Sequence, residues 1–119
     1  MTQEELKNRL KKWAVSVVLF TRKFSKDPDF KIIRHQICRC APSSAANYRA
    51  ACRAKSTPDF IHKLKIVEEE LDESMFWLEF IVALEPSFRE DIIPLFKEAN
   101  ELLSITVSSI KTMKAKQKK

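Results

Sequence analysis

The sequence predicts an all-α protein, an antiparallel up-down-up-down four-helix bundle. Its 119 residues include no glycine and five prolines, so hairpin turns that need positive φ are disfavoured. Apolar residues recur at alternating steps of four and three in four long segments, which is the spacing of one face of an α-helix. Helix-start signals precede these segments, and prolines separate or interrupt them.

The first two segments meet at Asp27-Pro28. The first predicted helix starts at a capping box formed by Thr2 and Glu5, and it is expected to stop before Asp27, because a residue preceding proline avoids the α region. The second starts with Asp27 as N-cap and Pro28 in its first turn. Pro42 lies inside this helix and is expected to kink it rather than end it. The predicted core rows are Leu6, Leu10, Trp13, Val17, Phe20 and Phe24, then Phe30, Ile33, Ile37, Ala41, Ser44, Tyr48 and Ala51.

The last two segments are separated by Glu85-Pro86. Ser56 with Asp59 predicts the start of the third helix, and Ser87 with Glu90 predicts the start of the fourth, in which Pro94 marks either a kink or the true beginning. Their predicted core rows are Phe60, Leu64, Val67, Leu71, Ser74, Leu78 and Ile81, then Phe96, Ala99, Leu103, Thr106, Ile110 and Met113.

We expect one domain over residues 1–113, followed by a basic tail at 114–119. The longest apolar runs are shorter than the roughly 20 residues that span a membrane. The N-terminus lacks the basic and then apolar order of a secretory signal, so we expect a cytoplasmic protein that does not enter a membrane. Its three cysteines are expected to be reduced and buried.

Charge is unevenly distributed along the chain. Residues 1–55 carry 13 Lys and Arg against 4 Asp and Glu, whereas residues 56–85 carry 2 against 8. The second helix offers a basic ridge, for which phosphate contact is the functional interpretation. A solvated basic face, or pairing with the acidic residues 68–73 of a neighbouring helix, is the alternative. The candidate nucleic-acid-binding residues are Lys31, Arg34, Arg39, Arg49 and Arg53.

The third helix has more apolar residues than one core row needs. Phe76, Trp77 and Phe80 lie off that row, and aromatic anchors concentrate binding energy in subunit interfaces. We therefore expect these three residues to hold a homo-oligomer together. A wide core row is the alternative, since globular helices often bury a broad face.

Asn47 lies near the apolar row of the second helix, where an unpaired amide would be costly. We expect it to be a buried polar residue bonded to a neighbouring helix rather than to a ligand. Glu70 and Glu73 on the third helix are its first candidate partners, with Arg39 as their counter-charge.

No catalytic centre, metal site or cofactor is expected. Without glycine there is no phosphate-cradling glycine loop and no Gly-x-Ser-x-Gly elbow. Cys38 and Cys40 point about 200° apart on a helix, so they cannot bind one tetrahedral zinc ion together.

Residues 36–84 resemble the bacterial four-helix bundle proteins encoded in intervening sequences of 23S rRNA genes, to which the accessory variability protein of diversity-generating retroelements is similar. The matching pieces are Gln36, the segment 39–43, Ala46-Asn47, Ser56-x-x-x-Phe60-x-x-Lys63-Leu64 and Glu70-x-x-Glu73-x-x-x-Trp77-Leu78. The segment 48–51 departs from commoner members, which have Ile-Ala-Glu-Gly there. The resemblance implies a ring-like homopentamer that associates with nucleic acid and has no established enzymatic activity.

Two functions remain open from the sequence. The leading one is a non-enzymatic oligomeric bundle that binds RNA or DNA through basic surface residues. The alternative is a scaffold that docks a partner protein, such as a reverse transcriptase, without binding nucleic acid itself. An enzyme ranks third.

Overall fold

The structure is a computed structural model that describes residues 1–118. Within this range all regular structure is helical: α1 spans Gln3–Phe20, α2 spans Pro28–Ala51, α3 spans Thr57–Leu84 and α4 spans Arg89–Gln117. Short 3-10 turns, Thr21–Lys23 and Pro86–Phe88, lie in the first and last connections. The all-α, four-helix class is confirmed. The predicted basic tail begins inside α4, and Lys119 lies outside the described residues.

Two ion pairs show that α1 and α4 run antiparallel. Arg9 of α1 reaches Glu98 of α4, whereas Lys23, just beyond α1, reaches Asp91 near the start of α4. Each helix packs against its neighbours in sequence, and α1 packs against α4 to close the bundle. In this cyclic order of contacts α1 and α3 lie diagonally opposite each other. The molecule measures 52 × 21 × 20 Å.

Two of the predicted helix starts have the expected side-chain caps. Thr2 accepts a hydrogen bond from the Glu5 backbone N–H, and Ser56 accepts one from the Asp59 backbone N–H. These contacts satisfy amides that have no partner within the helix. Asp27 stands at the N-cap of α2, but its side chain makes no cap hydrogen bond.

The fourth predicted start was wrong, whereas the first helix stops before Asp27 as predicted but does not include Phe24. Ser87 donates a hydrogen bond to the Glu85 carboxylate instead of capping α4, which begins at Arg89 and contains Pro94. The helix α1 ends at Phe20, and Phe24 is extended. This change of direction brings the Phe24 ring within 4.9 Å of Phe30, between ring centroids.

The helix α2 continues unbroken through Pro42. A proline inside a helix removes one backbone hydrogen bond, but the helix remains packed against its neighbours on both sides of this residue, with Ile37, Ala41 and Ser44 all buried. The prediction that Pro42 does not end the helix is confirmed.

The core follows the predicted rows with a shift in two helices. Ile61 is buried where Phe60 was expected, and Leu102 is fully buried where Leu103 was expected. Both expected residues are half-buried and pack against the core from its edge. Steps of three from Ile61 to Leu64 and Val67, rather than a four-residue step from Phe60, define the α3 row.

Four buried hydroxyl groups interrupt this apolar core. They belong to Thr21, Ser44, Ser74 and Thr106. Each donates a hydrogen bond to a carbonyl of the preceding helical turn, over 2.6 to 2.8 Å. Such bonds satisfy a buried hydroxyl locally, so no polar partner on another helix is needed.

Candidate nucleic-acid interface

A basic groove runs between α1 and α2. On α1 its lining residues recur at helical spacing, and on α2 they occur in two sets at opposite ends of the helix. Three adjoining cavities of about 550, 330 and 440 Å³ make up the groove. The lining cations are Lys7, Lys11, Arg22, Lys26, Lys31, Arg34, Arg49 and Arg53.

The two ends of the groove are charged, and its middle is apolar. The cavity of 550 Å³ lies at the α1–α2 connection and contains four cations. The cavity of 440 Å³ lies at the other end and contains four cations and Glu4. Between them, Val15 and Leu19 are exposed beside Pro42. The groove therefore offers an apolar floor flanked by two positive regions.

Most groove cations have no acidic partner. Of the eight, Lys7 alone forms an ion pair among residues 1–118, with Glu4 of its own helix at 2.8 Å. Cations without partners keep a positive potential that attracts polyanions. Seven cations without ion-pair partners among residues 1–118 therefore line this one groove.

Four of the five predicted binding residues line this groove: Lys31 and Arg34 at one end, Arg49 and Arg53 at the other. The fifth, Arg39, does not. Its guanidinium faces α3, where it forms ion pairs with Glu70 at 3.5 Å and with Glu73. Four residues exceed one helical turn, so the steps from Lys31 to His35 and on to Arg39 rotate the side-chain position around α2. Arg39 therefore faces a different side of the helix from Lys31.

The Arg39 cluster has opposite effects on its two carboxyl groups. The hydrogen bond from Arg39 lowers the pKa of Glu73 below its ordinary value of 4.5. Burial raises the pKa of Glu70 above the same value, although Arg39 acts in the other direction. One oxygen of Glu70, Oε2, is buried without a hydrogen-bond partner among the described residues.

Asn47 does not join this cluster, so the expected bond to a neighbouring helix was wrong. Its amide donates to the backbone carbonyl and the hydroxyl oxygen of Ser43, at 2.9 and 3.0 Å. Because Asn47 is only part-buried, one turn of its own helix satisfies it. Glu70 and Glu73 are likewise part-buried, with exposed side-chain fractions of 17% and 37%.

The outer face of α3 carries three contacting aromatic rings. Phe76 and Phe80 are 51% and 43% exposed, and Leu84 next to them is 41% exposed. Trp77 is half-buried, and its ring centroid lies 5.0 Å from Phe76 and 5.6 Å from Phe80. Its indole N–H donates to Glu73 at 3.2 Å. We call Phe76, Trp77, Phe80 and Leu84 the aromatic face.

Four groove cations lie outside the set of five predicted binding residues: Lys7, Lys11, Arg22 and Lys26. Arg22 continues a row of groove-lining positions at 7, 11, 15 and 18 of α1, and this spacing could have identified it. Lys26 lies in the connection after Phe24, where no periodicity applies. Its place in the cavity depends on where α1 ends.

The three cysteines differ in burial, although all were expected to be buried. Cys40 is buried, whereas Cys38 and Cys52 are half-buried, and all three are free thiols. Burial raises the pKa of the Cys40 thiol to about 11.

Across residues 1–118, no group of three or more His, Cys, Asp or Glu side chains is placed to hold a metal ion. None of the described helices is both long enough and apolar enough to cross a bilayer.

The fold and the candidate site define a four-helix bundle protein with a cationic groove and an exposed aromatic face. Residues 3–108 match the family model described as 23S rRNA-intervening sequence protein. The chain belongs to this family, as the motifs at 36–84 indicated.

A solved structure agrees with this assignment. It is a crystal structure of a protein with unknown function from the S23 ribosomal protein family of Bacteroides thetaiotaomicron, 30% identical in sequence to this chain with a TM-score of 0.85. The match covers 93% of this chain and 99% of that one. No curated protein matches the chain.

Proposed function

We propose that the protein is a non-enzymatic, oligomeric four-helix bundle that associates with RNA or DNA in the cytoplasm. The observation that supports the proposal is the α1–α2 groove, where seven cations have no acidic partner among residues 1–118. Lys and Arg that neutralise phosphates release condensed counterions, which favours binding without sequence recognition.

The groove has dimensions that suit a nucleic-acid backbone. Lys31 and Arg49 are 18 residues apart on α2, which corresponds to about 27 Å along the helix axis. That distance equals about eight base-pair steps of a duplex. Positive charge at both ends would therefore contact phosphates separated by most of one helical turn.

Charge reversal within the groove tests the proposal. A variant with Lys31, Arg34, Arg49 and Arg53 changed to Glu should lose most of its affinity for a short RNA or DNA. The slope of log affinity against log salt should fall by about three, since each phosphate contact contributes about 0.7 to 0.9.

A variant of equal net charge provides the control. Changing Lys12, Lys65, Lys97 and Lys111 to Glu reverses four exposed lysines that do not line the groove. The control should retain the salt slope. Equal losses in both variants would show that net charge, not the groove, determines binding, and would contradict the proposal.

The aromatic face favours a second role, in assembly. Exposed Phe76 and Phe80 provide apolar contact area, and the exposed acids Asp72 and Glu79 lie beside them. Aromatic anchors are typical of subunit interfaces, whereas neighbouring acids disfavour phosphate, so assembly through this face leaves the α1–α2 groove free for nucleic acid. Contact between two unlike surfaces of identical chains closes into a ring when the rotation permits, as in the homopentamer that the family resemblance implies.

The sedimentation mass at micromolar concentration tests this assembly. Phe80→Glu should convert the oligomer to single chains, whereas Ile93→Glu, at a 40% exposed position on α4, should leave it intact. A wild-type mass of one chain would exclude self-assembly.

The scaffold alternative makes a different prediction. A partner protein bound at the groove or the aromatic face would remain bound after nuclease treatment, and purified protein would show no salt-dependent affinity for nucleic acid.

A further inference from the structure

We propose that the cavity at the α1–α2 connection binds one unpaired nucleotide, with its phosphate on Arg34 and its base against Phe24. The cavity has a volume of about 550 Å³ and is lined by four cations, two aromatic rings and two hydroxyl groups. This volume lies in the range of small-ligand sites. The biological setting rests on the proposed function, but the site itself is argued from its own residues.

Arg34 is held in a defined orientation. Its Nε–H donates to the Thr21 hydroxyl oxygen at 3.2 Å. Thr21 is 1% exposed, and its own hydroxyl donates to the Val18 carbonyl at 2.6 Å. This contact uses one edge of the guanidinium and leaves both terminal NH₂ groups without partners in the described structure. A guanidinium held in this way can donate two parallel hydrogen bonds to a phosphate.

The charge of the cavity is purely positive. Arg22, Lys26 and Lys31 surround Arg34 and make no ion pair with any acid of residues 1–118. The two nearby carboxylates, of Asp27 at the N-cap of α2 and Asp29 in its first turn, do not line the cavity. Asp27 instead accepts a hydrogen bond from Ser25, and Asp29 accepts one from the Phe30 backbone N–H.

Phe24 provides a fixed aromatic surface. Its ring centroid lies 5.5 Å from Phe20, 4.9 Å from Phe30 and 5.8 Å from Phe88. These contacts restrict the ring, which is half-buried and borders the cavity. An aromatic ring packed beside cations is the arrangement on which unpaired bases stack, with little preference for base identity.

The cavity at the other end of the groove lacks two of these features. It is lined by Lys7, Lys11, Arg49 and Arg53, but it contains no aromatic residue and includes Glu4. It can contact a backbone phosphate but offers no ring for a base. The two ends of one groove therefore have different specificity, and Arg53 provides a matched control position.

Titration with adenosine monophosphate, followed by calorimetry or NMR, tests the inference. Adenosine and ribose 5-phosphate should each bind about tenfold more weakly, because each lacks one half of the recognised ligand. Arg34→Gln should weaken adenosine monophosphate binding about tenfold, and Arg53→Gln should leave it unchanged. Equal affinities for adenosine monophosphate and ribose 5-phosphate, or no binding of either, would overturn the inference.

Phe24→Leu tests the base contact while keeping an apolar side chain in the aromatic cluster. The variant should bind adenosine monophosphate no better than ribose 5-phosphate, with an unchanged circular dichroism spectrum. Retained preference for the nucleotide would contradict the role of Phe24. If Phe24→Leu does not fold, the Arg34→Gln comparison decides the outcome.

Two RNA hairpins with equal numbers of phosphates distinguish this site from general nucleic-acid association. The hairpin with a single-stranded tail should bind more tightly than the blunt one, and Phe24→Leu should remove the difference. Equal, salt-dependent binding of both would contradict the nucleotide site and leave the groove proposal standing. Binding of adenosine monophosphate without binding of either hairpin would contradict the groove proposal alone.

Discussion

The Arg39 guanidinium forms an ion pair with the Glu73 carboxylate across the α2–α3 contact. Trp77 also donates to Glu73, so one carboxylate connects the basic second helix to the aromatic face of the third. Arg39 is thereby placed away from the α1–α2 groove, although the linear sequence groups it with Arg34.

Arg39 is expected to contribute less to nucleic-acid binding than Arg53. Changing Arg53 to Gln should lower the salt slope of binding by about one, the effect of losing a single phosphate contact. Changing Arg39 to Gln should leave the slope unchanged, because its charge is already paired with Glu73 and Glu70. Fluorescence anisotropy across a salt series measures both slopes, and equal decreases would contradict the assignment of Arg39 to a structural contact.

The stability of the Arg39 cluster should depend on pH with opposite signs at its two carboxyl groups. Because Arg39 holds the pKa of Glu73 below 4.5, ionised Glu73 stabilises the fold above that value, and the effect is lost as pH falls through the folded pKa. Because burial raises the pKa of Glu70, its ionised form opposes folding at neutral pH.

Glu73→Gln should therefore reduce the free energy of unfolding at neutral pH by less than about 1 kcal/mol, since the pair is partly exposed. Glu70→Gln should increase it. The Glu73 difference from wild type should shrink as the pH falls below 4.5, whereas the Glu70 difference should shrink at higher pH, as the pH falls through the raised folded pKa of Glu70 toward 4.5. Urea unfolding at several pH values checks the two signs, and the same sign for both variants would contradict this description.

The Arg9 contact with α4 should be the strongest single ion pair of the bundle. Arg9 donates through Nε and Nη2 to the two Glu98 oxygens, at 2.7 Å each, and Nη2 lies 2.8 Å from Glu101. Arg9→Ala should lower the free energy of unfolding by about 1 to 2 kcal/mol, because the bonds are bidentate and charge-assisted.

A double-mutant cycle with Glu98→Ala isolates the coupling between Arg9 and Glu98. The pair of Lys7 with Glu4 is the control, and its loss should leave the free energy of unfolding almost unchanged, because Glu4 is 71% exposed. A coupling energy for Arg9 no larger than that of the control would contradict the prediction.

Cys40 should resist alkylation in the folded protein. It is fully buried, and burial raises its pKa to about 11, so its thiol stays protonated at neutral pH. Iodoacetamide should modify the half-buried Cys38 and Cys52 first and reach Cys40 only after denaturant is added. Peptide mass spectrometry after timed quenching gives the three rates, and modification of Cys40 in step with the other two would contradict its burial.

The helices were predictable because periodicity and capping act within a few residues. Thr2, Ser56 and Pro28 mark helix starts by local chemistry, and the structure agrees with each. The core rows were predictable to within one position, because Ile61 and Phe60 are both apolar and only packing against α2 and α4 chooses between them.

The basic groove was less predictable, because it depends on how two helices are aligned. Arg22 joins Lys31 and Arg34 in one cavity because the turn at Thr21–Lys23 brings it beside α2. The partner of Asn47 was also not predictable. Asn47 bonds to Ser43 on its own helix, and the sequence spacing does not distinguish this bond from one to a neighbouring helix.

The separation of charge between α1–α2 and α3 gives the bundle an electric dipole moment across its width. Since the groove cations and the α3 acids lie on different helices of a rod only about 20 Å wide, the field of a polyanion would turn the molecule before contact. Encounters would then begin with the cationic side in front, and the association rate constant would decrease more than the dissociation rate constant increases as ionic strength rises.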